Sequence, residues 1–254
     1  MTVRSNMPGS VLNGSSVTLS GSLHGVGGAA LGGEPLTFTA GSGSAAQMCT
    51  GTTGATGTAS CSITLNQPTG TIPVSVTFAG DANYLASSDS GTLSVFTAYS
   101  LSKSALAQAQ ALLAGARRSD ADRLRGVVRE LSAALDPSLW VDGNHVSSRR
   151  GDRVFELHQD AVQDLESLQK HGSISDSSLQ AVIDTIVHGD AVLAQQAVSD
   201  AIAAHGDARK IADAQNELAK AAKSLAKGDE DGAIGHYENA WEDALDATRF
   251  RFHH

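Results

Sequence analysis

Trp140, Asp142, Asn144 and His145 form the densest group of ligand-capable side chains in the sequence. An indole wall beside a carboxylate, an amide and an imidazole is the makeup of a small-molecule or peptide pocket, so these four are the candidate binding residues. The same residues would serve equally as a plug, the Trp filling a core and the polar groups satisfying a buried loop. Other groupings are weaker. Arg150-Gly151-Asp152 spells the tripeptide that integrins recognise, but Gly189-Asp190, Gly206-Asp207 and Gly228-Asp229 repeat the Gly-Asp pair without the Arg. Asp229, Asp231, Gly232 and Glu238 fall at the third, fifth, sixth and twelfth positions of an EF-hand-like loop, yet Lys227 at the first would repel the cation. His145, His158, His171, His188, His205 and His236 are scattered, and no two His residues have the one-turn spacing of a zinc-binding helix. No metal and no cofactor are therefore expected. With no Gly-x-Ser-x-Gly elbow, phosphate loop or dinucleotide fingerprint, no catalytic residue is assigned and no enzymatic activity is expected.

Cys49 and Cys61 are the only cysteines. Strand-like segments flank a Gly- and Thr-rich stretch between them. A hairpin turning near Ala55 would set the two thiols opposite each other, at a spacing that suits a disulfide. Closing so short a loop contributes about 3 kcal/mol. A disulfide implies an oxidising, extracytoplasmic setting.

Composition divides the elements that must position these groups. The chain has 254 residues and a net charge of −9. Most glycines lie before residue 100, where Arg4 is the one Lys or Arg and Glu34, Asp81 and Asp89 are the acids. Every Lys follows, from Lys103 onward. So abrupt a shift marks a domain boundary, giving a β domain over 1–98 and an α-helical domain over 99–254. There is no basic stripe for nucleic acid and no apolar run long enough to cross a membrane, so neither partner is expected. No signal peptide follows Met1, and the chain is expected to be a fragment or mature portion of a longer precursor.

In the first domain apolar and small polar residues alternate. Val17, Leu19, Gly21 and Leu23 make one run, Leu36 and Phe38 another, and Val74, Val76 and Phe78 the cleanest. Ile63, Leu65, Leu93 and Val95 extend the set. One apolar face per strand predicts packed antiparallel sheets, and Gly25 to Gly33 reads as a mobile surface loop. In the second domain the period becomes helical. Leu101, Ala105 and Leu112 make one face, and Leu124, Val127, Leu131 and Leu135 a second, which Asp136-Pro137 ends. The Gly-Asp pairs, with Gly closing one helix in the left-handed conformation and Asp capping the next, predict helices near 152–171, 175–188, 190–205, 207–227 and 229–249. Short connections predict an all-α helical bundle of antiparallel hairpins. His171, His188 and His205 would serve the ends of their helices, and His253 and His254 would form a disordered tail or the remnant of a tag.

Four segments of the first domain carry a resemblance. They are Gly14-Ser-Ser-Val-Thr-Leu-Ser20, Gly33-Glu-Pro-Leu-Thr-Phe-Thr39, Cys49-Thr-Gly-Thr-Thr53 with Gly57-Thr-Ala-Ser-Cys61, and Phe78-Ala-Gly-Asp-Ala-Asn-Tyr-Leu85. Together they resemble the bacterial immunoglobulin-like repeats of large surface and secreted proteins. That resemblance implies a β-sandwich, an inward-packed Tyr84, and a role as spacer, stalk or adhesive module. Leu135-Asp-Pro-Ser-Leu-Trp-Val-Asp-Gly-Asn-His145 is similar to segments that follow such repeats near the C-termini of secreted proteins. The function expected is a non-enzymatic structural or adhesive module outside the cell or on its surface, with a protein partner or self-assembly. The alternatives left open are a ligand site near Trp140 to His145 and a subunit of an extracellular filament or lattice.

Overall fold

Alternating residues and helix-forming residues separate cleanly into β and then α structure. The computed structural model describes residues 2–249, so the expectation for His253 and His254 lies outside the described residues. The chain divides into two compact units, meeting in sequence at Phe96 and Thr97.

The first unit contains β1 (Thr2–Asn6), β2 (Ser10–Leu12), β3 (Ser16–His24), β4 (Pro35–Ala40), β5 (Gln47–Thr52), β6 (Thr58–Thr64), β7 (Gly70–Phe78) and β8 (Ser87–Phe96). One sheet runs β1-β3-β6 and the other β2-β8-β7-β4-β5. The alternation works as the period of a strand requires. In β3 it buries Val17, Leu19 and Leu23, in β4 Leu36 and Phe38, and in β7 Val74, Val76 and Phe78, all in one core. Each large side chain in that core contributes roughly 1.5–3 kcal/mol of burial. Gly21 lies in β3 where an added Cβ would meet the Arg4 carbonyl oxygen at 3.0 Å and the Val76 side chain at 3.2 Å.

Two expectations need correction here. The pairing is not wholly antiparallel, because β2 runs parallel to β8, Ser10 opposite Ser94 and Leu12 opposite Phe96. The cysteines do not face each other within one hairpin ladder. A turn is present, with Gly54 N donating to the Thr58 carbonyl, but its arms part: β5 pairs with β4 and β6 with β3. The Cys49–Cys61 disulfide, Cα–Cα 6.0 Å, therefore joins edge strands of two different sheets. The backbones approach so closely there that a Cβ on Gly51 would run into the Ser60 carbonyl. Gly25 to Gly33 lies at the surface, as expected, and is tied to its neighbours at Leu31 and Gly33. Leu31 N donates to the Leu23 carbonyl, Gly33 N donates to Thr53, and the Leu31 side chain packs on the core.

The other seam between the sheets is closed by side chains. Ser5 N and Ser5 Oγ both donate to Asp89 Oδ2 at 2.8 Å, and Val3 N donates to Ser87 Oγ at 3.3 Å. Those bonds hold the Asp89 carboxyl below its ordinary range.

The second unit contains α1 (Ala98–Gly115), α2 (Arg118–Ala134), α3 (Asp152–His171), α4 (Asp176–Ala203), α5 (Ala208–Leu225) and α6 (Glu230–Arg249). Helix α1 packs on α4, α2 on α3, and α6 on α3, α4 and α5. The core includes Leu124, Val127, Leu131, Phe155, Val162, Leu165, Ile183, Ile186 and Ile234. Asp207 caps α5, accepting from Arg209 N and Lys210 N at 3.0 Å each. Asp229 does the same for α6, accepting from Gly232 N at 3.1 Å and from Ser224 Oγ at 3.0 Å.

Gly189-Asp190 is not a boundary: α4 runs through it for 28 residues, about 42 Å at the rise of an α-helix. His188 is accordingly mid-helix. Both residues of the pair have interior roles. Gly189 faces Ala98 and Ser102 of α1, where an added Cβ would lie 3.7 Å from the Ala98 carbonyl oxygen. The buried stripe of α1 is likewise Ala98, Ser102, Ala105 and Ala109, with Leu101 and Leu112 only half-buried. Small residues on both helices bring the two axes close. The left-handed closure also differs. At the end of α4 it is His205 that takes φ +52°, while Gly206 is needed because a Cβ there would meet the Ala247 carbonyl oxygen at 2.8 Å.

Candidate functional site

Between α2 and α3 the chain folds on itself. Asp136 accepts from Ser138 N at 2.8 Å, and Pro137 opens a single 3-10 turn over Pro137–Leu139. Trp140 and Val146 then form an antiparallel bridge, Ser147 N donates to the Leu139 carbonyl and Val141 N to that of His145. A small hairpin results, with Leu139 and Val146 buried beneath it.

All four candidate residues lie on this hairpin, and each has a partner inside the protein. Trp140 Nε1 donates to the Ala134 carbonyl at the end of α2, 2.8 Å away, and the indole meets Tyr99 edge-on with ring centroids 5.0 Å apart. Asn144 Oδ1 accepts from Ala98 N, and the Gly143 carbonyl accepts from Tyr99 N, so the hairpin holds the first turn of α1. Asp142 accepts from Asn144 N at 2.7 Å and His145 N at 3.0 Å. Its carboxylate also lies 2.8 Å from His145 Nδ1, while His145 Nε2 lies 2.8 Å from Asp200 Oδ2 on α4. Partial burial opposes ionisation of Asp142, but the bonds from Asn144 and His145 outweigh it and hold the carboxyl below its usual range. Burial likewise works against the imidazolium of His145, and the two carboxylates outweigh it and raise its pKa.

Tyr99, Pro137, Trp140 and Val141 leave a shallow groove of about 250 Å³ on the hairpin's outer side. Val141 is 73% exposed there. A smaller cavity of about 100 Å³ lies beneath His145, between α4 and α6.

A second polar arrangement escaped the sequence reading. His158 of α3 and Asp190 of α4 are both completely buried, with Nδ1 and Oδ1 2.7 Å apart. Among the described residues neither His158 Nε2 nor Asp190 Oδ2 has a hydrogen-bond partner. Burial pushes the Asp190 carboxyl up, and His158 pulls against it. The nearby Glu238 of α6 is pushed up to about 7, by half-burial first and then by Glu242, Glu156, Asp152 and Asp190. The available signal was that Val187 and Leu193 flank Gly189-Asp190 in an unbroken apolar period, which a true helix boundary would interrupt.

The remaining motifs are structural in geometry. Gly151 of the Arg-Gly-Asp triplet is buried, and a Cβ there would meet Val146 Cγ2 at 2.5 Å, the Ser147 carbonyl at 2.6 Å and Trp241 Cζ2 at 2.8 Å. Gly151→Ala is expected to destabilise the helical unit by about 1–3 kcal/mol through overpacking. An unchanged urea midpoint of the far-UV signal would show that the hairpin yields instead. Asp81 accepts from Asn83 N and Tyr84 N in a tight turn that lays Tyr84 against the β core. Among the described residues no group of three or more His, Cys, Asp or Glu is placed to hold a metal ion, and no helix is long and apolar enough to cross a membrane.

Comparison with family models and with curated proteins finds no match to this chain.

Proposed function

We propose that this chain is a structural or adhesive module working outside the cytoplasm, in which an immunoglobulin-like sandwich spaces or displays and the helical unit caps the protein or docks on a protein partner. The observation that carries this reading is the Cys49–Cys61 disulfide between edge strands of two sheets, a bond that persists in oxidising compartments. Two sheets sharing one apolar core support the sandwich, as does the resemblance of Gly33 to Thr39 and Phe78 to Leu85 to bacterial immunoglobulin-like repeats. The internal partners of Asp142, Asn144 and His145 favour a hairpin that organises the helical unit over one built to receive a ligand. Protease applied to intact cells that make the protein is expected to remove it, and alkylation before reduction should find no free thiol. Protection from the protease, or two alkylated cysteines, would overturn the proposal.

A ligand-binding reading retains one supporting observation, the groove at Tyr99, Trp140 and exposed Val141. Titration of the Trp241→Phe variant, in which Trp140 is the one indole left, with candidate peptides separates the two readings: a saturable fluorescence change supports binding and its absence the structural role.

A further inference from the structure

We propose that the hairpin around His145 is a proton-dependent latch: protonated His145 ties it to Asp200 of α4, and loss of that proton releases it. The geometry dictates the protonation state. One ring nitrogen lies 2.8 Å from Asp142 and the other 2.8 Å from Asp200. A carboxylate only accepts, so both nitrogens must carry hydrogen, and only the imidazolium does. A neutral ring keeps one N–H and turns a lone pair toward the other carboxylate, converting an attraction into a repulsion.

The groups facing His145 make the sign unambiguous. Its own hairpin supplies Asp142. Helix α4 supplies Asp200, whose other oxygen accepts from Gln196 Nε2 at 2.9 Å. The α6 residues on the same cavity wall, Ala244, Leu245 and Thr248, are uncharged. Two anions, with no competing cation among the described residues of that cavity wall, favour the charged ring, so the latch is closed below the His145 pKa, itself above the ordinary imidazole value, and opens as pH rises through it. Release would uncover the small cavity walled by Leu193, Ala197 and Trp241. It would also loosen the segment whose Asn144 and Gly143 hold the first turn of α1.

Nuclear magnetic resonance of the full chain tests this. The His145 ring should titrate above the ordinary imidazole value of about 6.5. Nuclear Overhauser contacts from that ring to the Ala197 and Ala201 methyls should be present below the midpoint and lost above it. Asp200→Asn should weaken proton binding by roughly tenfold or more, and Asp142→Asn should act in the same direction. A midpoint at or below 6.5 in the unmodified chain, or contacts that survive full deprotonation, would overturn the latch. The unmodified chain alone reports both, so misfolding of a variant would not obscure the answer.

Discussion

His158→Leu is expected to lower the stability of the helical unit by about 3–5 kcal/mol, the usual cost of removing one partner from a buried pair of ionisable groups. The pair is completely buried, and among the described residues Asp190 has no hydrogen-bond partner besides His158. Leucine nearly fills the volume of the imidazole, so little of the loss would come from a cavity. The loss should grow with pH. Burial already raises the Asp190 carboxyl. A group whose folded pKa lies above its unfolded value contributes most below the unfolded value, and that contribution fades as pH rises through the folded one. Without His158 the folded value rises further, and the deficit should be larger at pH 8 than at pH 4. Replacing both residues with Leu should recover most of the stability, because a packed apolar pair avoids the desolvation of two polar, ionisable groups. Urea melts of the four variants in this cycle at the two pH values measure all of this. A single-variant loss below about 1 kcal/mol would show that the buried contact contributes little to the stability of the helical unit.

Replacing Cys49 and Cys61 with Ser should cost the β unit about 3 kcal/mol, set by a bridge across a sequence separation of 12. The bridge joins β5 and β6, which share no backbone ladder, so its loss should loosen one seam between the sheets first. The opposite seam is held by Ser5, Ser87 and Asp89 and keeps its bonds. Amide exchange should therefore accelerate in β5 and β6 before β7 and β8. Both tryptophans, Trp140 and Trp241, lie in the helical unit, so their fluorescence separates a loss there from one in the β unit. Equal acceleration in all strands would assign the bridge a global role, and no acceleration would make it dispensable.

Much of this architecture was legible in the residues. Period-two runs at Val17–Leu23 and Val74–Phe78 became β3 and β7, and Asp136-Pro137 ended α2 because a residue before proline avoids helical dihedrals. The grouping of Trp140, Asp142, Asn144 and His145 was legible as well, since four short-range neighbours in one loop must end up near one another. What each of them faces was not. Asp200 lies 55 residues beyond His145, and no local pattern announces such a contact.

The amino-acid sequence by itself determined the local choices: which segments become strands or helices, which face of each is apolar, and that two cysteines close enough along the chain would meet. These follow from side-chain periodicity, proline geometry and short loop closure, all of which act within a few residues. Tertiary structure decided what Gly-Asp means at each occurrence. At Asp207 and Asp229 the carboxylate caps a helix. At Asp190 the helix runs on, because Gly189 lets α1 approach and His158 receives the carboxylate. Likewise the disulfide staples two sheets only because β4 and β3 each claim one arm of the hairpin. Long-range partners fix these outcomes, since a backbone or carboxylate removed from water takes whichever partner the packed fold brings within reach.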